Sequence, residues 1–178
     1  MPSIRYSATQ KFLHWFIFLL VLLVYGLTYA EGLFERGDPG RDTVWWLHMS
    51  FGLLLLALVF VRIAVRVGSG APEDVAGTSP LGHWAAHAIH FALYVLLIAI
   101  PLSGIALAAL RDMPLSFFGL FTLPAPLAPN RAAVPSVQEV HELLANLILV
   151  VAGLHALAAL WHHYVRHDEV LRRMMPER

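Results

Sequence analysis

Four apolar runs, residues 12–30, 44–65, 84–110 and 143–161, limit what this chain can fold into. Each comes close to or exceeds the roughly 20 residues an α-helix needs to cross a hydrocarbon core of about 30 Å. Inside lipid every backbone amide must be satisfied within its own segment, so runs of this length cross as helices. Composition agrees. Of the 178 residues, 58% are hydrophobic and 13% charged, where a soluble domain carries roughly 25% charged residues. The expected fold is all-α: a transmembrane four-helix bundle forming one membrane-embedded domain over 1–178. Its helices are expected near 10–31, 44–67, 83–110 and 137–165.

Basic and acidic residues balance at 12 each, which argues against a nucleic-acid partner. Cysteine is absent, so disulfides, iron–sulfur clusters, thiolate metal sites and covalent c-type haem attachment are excluded. Arg5 and Lys11 ahead of a run ending "LTYAEG" imitate a signal peptide cleaved after Ala30. The run is longer than a typical signal core and contains His14, so a retained first helix is expected.

Basic residues distribute unevenly between the two faces. Arg5, Lys11, Arg62, Arg66, Arg166, Arg172, Arg173 and Arg178 share the side of both termini, while Arg36, Arg41, Arg111 and Arg131 lie opposite. By the positive-inside rule both termini are cytoplasmic. Trp15, Trp84 and Trp161 then mark the inner interface and Trp45 and Trp46 the outer, as in an aromatic belt. Pro101 is expected to kink the third helix. The inner connection "GSGAPEDVAGTSPLG" reads as flexible. The outer segment "RDMPLSFFGLFTLPAPLAPNRAAVPS" is long, apolar and proline-rich, and reads either as a lid or as a segment resting on the bilayer.

Within this apolar sequence the histidines stand out. His141 and His155 lie fourteen residues apart in one run, which on an α-helix leaves them within about 40° of one face and about 21 Å apart along the axis. Following the chain direction, His14 falls at the inner level with His155, and His48 at the outer level with His141. Ionisable residues within a membrane are costly and point to function. Two imidazoles from facing helices at one depth are what axial ligation of a haem iron requires. Gly52, Ala145, Ala152 and Gly153 supply small side chains beside such a planar group. With both axial positions filled by protein, electron transfer is favoured over oxygen activation. The plainer alternative is that these histidines only hydrogen-bond between helices.

Further candidates surround the pairs. His83, His87 and His90 recur at helical spacing on the inner end of the third helix. His87 and His90 could supply a substitute ligand or deliver protons to a quinone, and His83 reads as interfacial. Arg62, fourteen residues beyond His48, sits at the inner level and can pair with a haem propionate or snorkel to the interface. Arg41, Arg111 and Arg131 are the outer candidates for propionate or anion contacts. His162, His163 and His167 read as a solvated tail.

The stretches "LHWFIFLLVL", "WLHMSFGL", "HAIHFALYVLLIAIPLSG", "HELLANLILVVAGLHALAALWHHY" and "LRRMMP", in this order and spacing, resemble the bacterial di-haem cytochrome b561 family over essentially the whole chain. The resemblance implies two non-covalent b-type haems, with axial ligands falling on His14, His155, His48 and His141. It implies a bacterial inner-membrane protein, with no catalytic residue beyond the haems. The subgroup it is most similar to takes an electron from superoxide outside and passes it to ubiquinone in the membrane. That implies quinone, superoxide and lipid as partners and no obligatory protein partner. Two other readings stay open: a haem b anchor linking a respiratory dehydrogenase or hydrogenase to the quinone pool, and a haem-free histidine-based metal or proton transporter.

Overall fold

In the computed structural model, which describes residues 5–70, 72 and 79–175, four long helices carry the apolar runs. They are α1 (Ala8–Ala30), α2 (Pro39–Ser69), α3 (Pro80–Leu110) and α4 (Val134–Tyr164), each long and apolar enough to cross a membrane. Arg178 and most of the connection between α2 and α3 lie outside the described residues. One end of the bundle carries both termini. There Gln10 Nε2 donates to the Gly70 carbonyl at 2.9 Å, and Trp15 Nε1 donates to the Met174 carbonyl at 3.0 Å. This is called the inner end below.

α1, α2 and α3 start earlier than apolarity predicts because their caps, rather than the bilayer, set the first turn. Asp38 accepts the Gly40 N–H at 2.7 Å, and Pro39 follows at the first helical position. The polar "PGRDT" is thereby helical ahead of residue 44. Ser79 caps α3 in the same way, accepting from Gly82 N at 3.1 Å with Pro80 behind it. At the start of α1, Ser7 and Gln10 form a reciprocal capping box. Pro101 lies inside α3, which stays helical through it.

Ile17 and Leu20 of α1 bury against Leu55 and Val59 of α2, and Tyr94, Leu97 and Ile98 of α3 close over them. α1 packs on α2, α3 on α4, and α2 joins the two pairs. In α4 the buried residue is Ile148.

Between α3 and α4 the outer segment is neither unstructured nor a separate layer. It forms a two-stranded antiparallel hairpin, β1 (Leu115–Phe117) and β2 (Phe121–Leu123), with Leu115 paired to Leu123. Leu115 is buried, and Phe118 lies edge-on to both Trp46 and Phe51 of α2. At the end of α4, His162 and His163 are half-buried rather than solvated, while His167 beyond it is exposed as expected. His162 Nδ1 and Asp168 Oδ2 are 2.6 Å apart, and His163 Nδ1 is buried. A reversal at His167, whose φ is +53°, turns the chain back to bring Asp168 within reach.

Candidate functional site

The bundle brings four histidines together as two couples. At the outer end His48 of α2 faces His141 of α4 with ring centres 6.4 Å apart. At the inner end His14 of α1 faces His155 of α4 at 6.2 Å. An imidazole nitrogen binds a metal at about 2 Å and the ring centre lies about 1 Å behind it, so two rings on opposite sides of one ion have centres about 6 Å apart. Both couples meet that spacing. Since α4 is unbroken from 134 to 164, the couples stand about 21 Å apart along it.

Their hydrogen bonds decide which ring nitrogen is free. His48 Nδ1 lies 3.0 Å from the Val24 carbonyl, an acceptor only, so Nδ1 carries the proton. His141 Nδ1 lies 2.9 Å from Ser103 Oγ, whose own hydrogen goes to the Ile100 carbonyl at 2.8 Å. With that hydrogen spent, Oγ accepts from Nδ1–H. Each outer ring therefore keeps Nε2 as a lone pair, the form a metal ion takes up.

Two more observations test the fit to a flat tetrapyrrole with acidic edges. A Cβ built on Gly52, one turn from His48, meets nothing within 4 Å, whereas Gly153, also open, turns to the exposed side of α4 away from His155. Arg62 places Nε on the Tyr94 hydroxyl at 3.2 Å, while its Nη1 is buried with no hydrogen-bond partner among the described residues. That guanidinium face is suited to a carboxylate. The residues fit a haem group.

The other candidates separate clearly. His90 comes within 5.1 Å of His155, ring centre to ring centre, so the inner couple has a third imidazole beside it. His87 instead lies edge-on to His83, ring centres 4.3 Å apart, and is exposed. Arg41 pairs with Glu31, which already compensates its charge. Arg111 reaches Gln138 Oε1 at 2.6 Å, and Gln138 in turn donates to Glu142 at 2.7 Å. Arg131 lies exposed in the turn before α4.

Sequence reasoning missed Ser103, Gly104 and Tyr94. Gly104 also sits close under His141: a Cβ there would lie 3.2 Å from Cε1 of that ring. The available signal was "PLSG", a small polar pair in an otherwise apolar helix, a common mark of a close interhelical contact in membranes.

Comparison with known proteins gives a consistent result. Residues 5–177 match the family described as prokaryotic cytochrome b561. A probable superoxide oxidase CybB of Yersinia pestis is 36% identical over 175 residues, covering 98% of this chain and 97% of that protein. The cytochrome b561 homolog 1 of Escherichia coli K12 is 33% identical, covering 98% of each chain. A cytochrome b562 of Cereibacter sphaeroides is 34% identical, covering 97% of this chain and 96% of its own length.

Proposed function

The chain belongs to the prokaryotic cytochrome b561 family, and from that premise we propose that it is a di-haem superoxide oxidase, moving electrons from periplasmic superoxide to ubiquinone. Membership makes it a multi-pass electron-transfer protein of the bacterial inner membrane that uses haem b. Two haems rather than one are supported by the two histidine couples with ring centres at 6.2 and 6.4 Å, the observation that carries this reading. His48 and His141 hold the outer group, His14 and His155 the inner. Haem b, when bound by these residues, would supply one-electron transfer. Both termini are cytoplasmic, in line with the excess of Lys and Arg at the inner end.

This chain's residues do the rest. Val24 and Ser103 fix the outer imidazoles with Nε2 directed away from their hydrogen bonds. Arg62, braced by Tyr94, binds a propionate of the inner group through Nη1. Arg111 and Arg131 supply local positive charge on an outer surface otherwise rich in carboxylates, so the steering of a small anion is confined to their neighbourhood. Beside His155, His90, with the His83–His87 pair one to two turns nearer the inner end of α3, would give a route for the two protons that quinone takes up with two electrons. The balance is two superoxide anions to two dioxygen for each quinone reduced to quinol. Superoxide as donor draws its support from the name of the Yersinia pestis relative.

Stopped-flow mixing of the purified red protein with superoxide tests this reading. The haem bands should become reduced, at a rate that falls as salt rises. Bands that stay oxidised with superoxide while a co-purifying dehydrogenase or hydrogenase reduces them would establish the anchor function instead. A colourless protein would remove haem altogether.

A further inference from the structure

The two histidine couples have the same spacing but different surroundings. Both outer imidazoles give Nδ1–H to an acceptor, His48 to the Val24 carbonyl and His141 to the Ser103 hydroxyl. Among the described residues neither His14 nor His155 has a hydrogen-bond partner. The charges differ too. His141 interacts with the Glu142 carboxylate next to it in the chain, and Arg111 is joined to that carboxylate only through Gln138. His14 and His155 both lie in the field of the Arg62 guanidinium.

These differences act in one direction. A ligand imidazole that donates Nδ1–H to an acceptor becomes more basic at Nε2 and favours the more highly charged, oxidised metal. A nearby carboxylate does the same, whereas a guanidinium in a poorly solvated place favours the extra electron. The outer couple has the first two influences and the inner couple the third.

Resting on the ligand assignment proposed above, we infer that Ser103 is a positioning residue of the outer site: by accepting from His141 Nδ1–H it makes the outer site the weaker electron acceptor of the two, so that electrons run inward. Ser103 touches neither substrate nor iron and acts through His141. The chain Ile100 carbonyl, Ser103 hydroxyl, His141 imidazole depends on the hydroxyl having a single hydrogen, already committed at 2.8 Å to Ile100. Alanine at 103 removes the hydroxyl 2.9 Å from Nδ1 and leaves the more weakly placed Ile100 carbonyl as the remaining acceptor near the ring. Threonine keeps the hydroxyl.

Redox titration of the purified holoprotein, followed in the visible spectrum, tests this. His141→Ala and His155→Ala, each expected to keep one haem, assign the two midpoints. In the wild type the lower midpoint should belong to the outer haem. Ser103→Ala should raise that midpoint and leave the inner one in place, and Ser103→Thr should restore it. Should Ser103→Ala shed the outer haem, Ser103→Cys carries the test, because its sulfur is only a weak acceptor. A raised outer midpoint supports the inference, and an unchanged one overturns it. An outer midpoint at or above the inner in the wild type overturns it as well. In these cases two bound haems leave the ligand assignment standing. If His141→Ala keeps both haems, the ligand assignment itself falls and takes the inference with it.

Discussion

Ser50 and Phe118 hold each other across 68 residues of sequence. The Phe118 N–H donates to Ser50 Oγ at 3.2 Å, and that hydroxyl donates to the Ser116 carbonyl at 3.1 Å. Ser50 is fully buried, two residues beyond His48 on α2. Phe118 has φ +49°, a backbone region that bulky side chains avoid. Its ring contacts with Trp46 and Phe51, together with the Ser50 bond, offset that strain and keep the hairpin against α2.

Replacing Ser50 by alanine leaves a carbonyl and an N–H without their partner, a loss of about 1–3 kcal/mol. The hairpin, rather than the helices, should loosen. Hydrogen exchange over residues 115–123 in detergent should speed up by one to two orders of magnitude, roughly what that energy implies. Unchanged protection there would show that the aromatic contacts alone seat the hairpin.

Gly52 and Gly104 make opposite demands. A Cβ at Gly52 meets open space in the polypeptide, so Gly52→Ala should stabilise haem-free protein by about 0.5–1 kcal/mol through helix propensity. In the haem-loaded protein the same methyl should crowd the outer group and reduce its occupancy. Gly104→Ala places its Cβ 3.2 Å from His141 Cε1, so the ring must shift away. That variant should disturb the outer haem spectrum and leave the inner one intact. Thermal melts of apoprotein and haem content per chain separate the two effects. A Gly52→Ala protein with full haem content would place the group elsewhere.

Much of this site was legible before the fold. Helical pitch relates His141 to His155, and chain direction assigns His14 and His48 to depths; neither needs lateral packing. Ser103, Gly104 and Tyr94 were not legible because their roles depend on which helices are neighbours. Four apolar runs are compatible with several arrangements around the bundle. The hairpin was hidden for a related reason. Gly119, at φ +73°, makes the turn between the strands, but where the hairpin docks depends on a serine in another helix. The helix starts were misjudged because apolarity reports the bilayer, whereas Asp38 and Ser79 report the backbone.

The tail carries a pH dependence of its own. Burial by itself would push the Asp168 carboxyl up. The hydrogen bond from His162, a second from Val170 N–H and attraction to His162 and Arg166 outweigh it and hold the group below the usual carboxylate range. A depressed folded value means the stabilisation is complete above the ordinary carboxyl value of about 3.9 and is lost as pH falls through the lower folded one. Proteolysis of residues 166–175 should therefore be constant from neutral pH down to about pH 5 and rise only below about pH 4. Asp168→Asn should show the acid behaviour at neutral pH. A tail equally resistant in that variant would leave the bond from Trp15 to Met174 as what holds it.

Arg62 separates a structural role from a ligand-holding one. Its Nε bond to Tyr94 is one neutral-partner contact, while Nη1 is buried without a partner among the described residues and contributes nothing to the polypeptide by itself. Arg62→Gln should therefore leave the haem-free melting temperature unchanged or slightly raised, because an incompletely paired buried charge is removed. Against the loaded protein the same change should be costly. Outer-shell groups of this kind are worth roughly 10–100-fold in hold on the bound group, so the inner haem should dissociate preferentially on dilution or extraction. Arg62→Lys keeps a charge but not the planar fork, and should recover only part of that retention. Retention undiminished in Arg62→Gln, measured as haem b per chain after extraction, would make the arginine an interfacial residue and leave the propionate to another group.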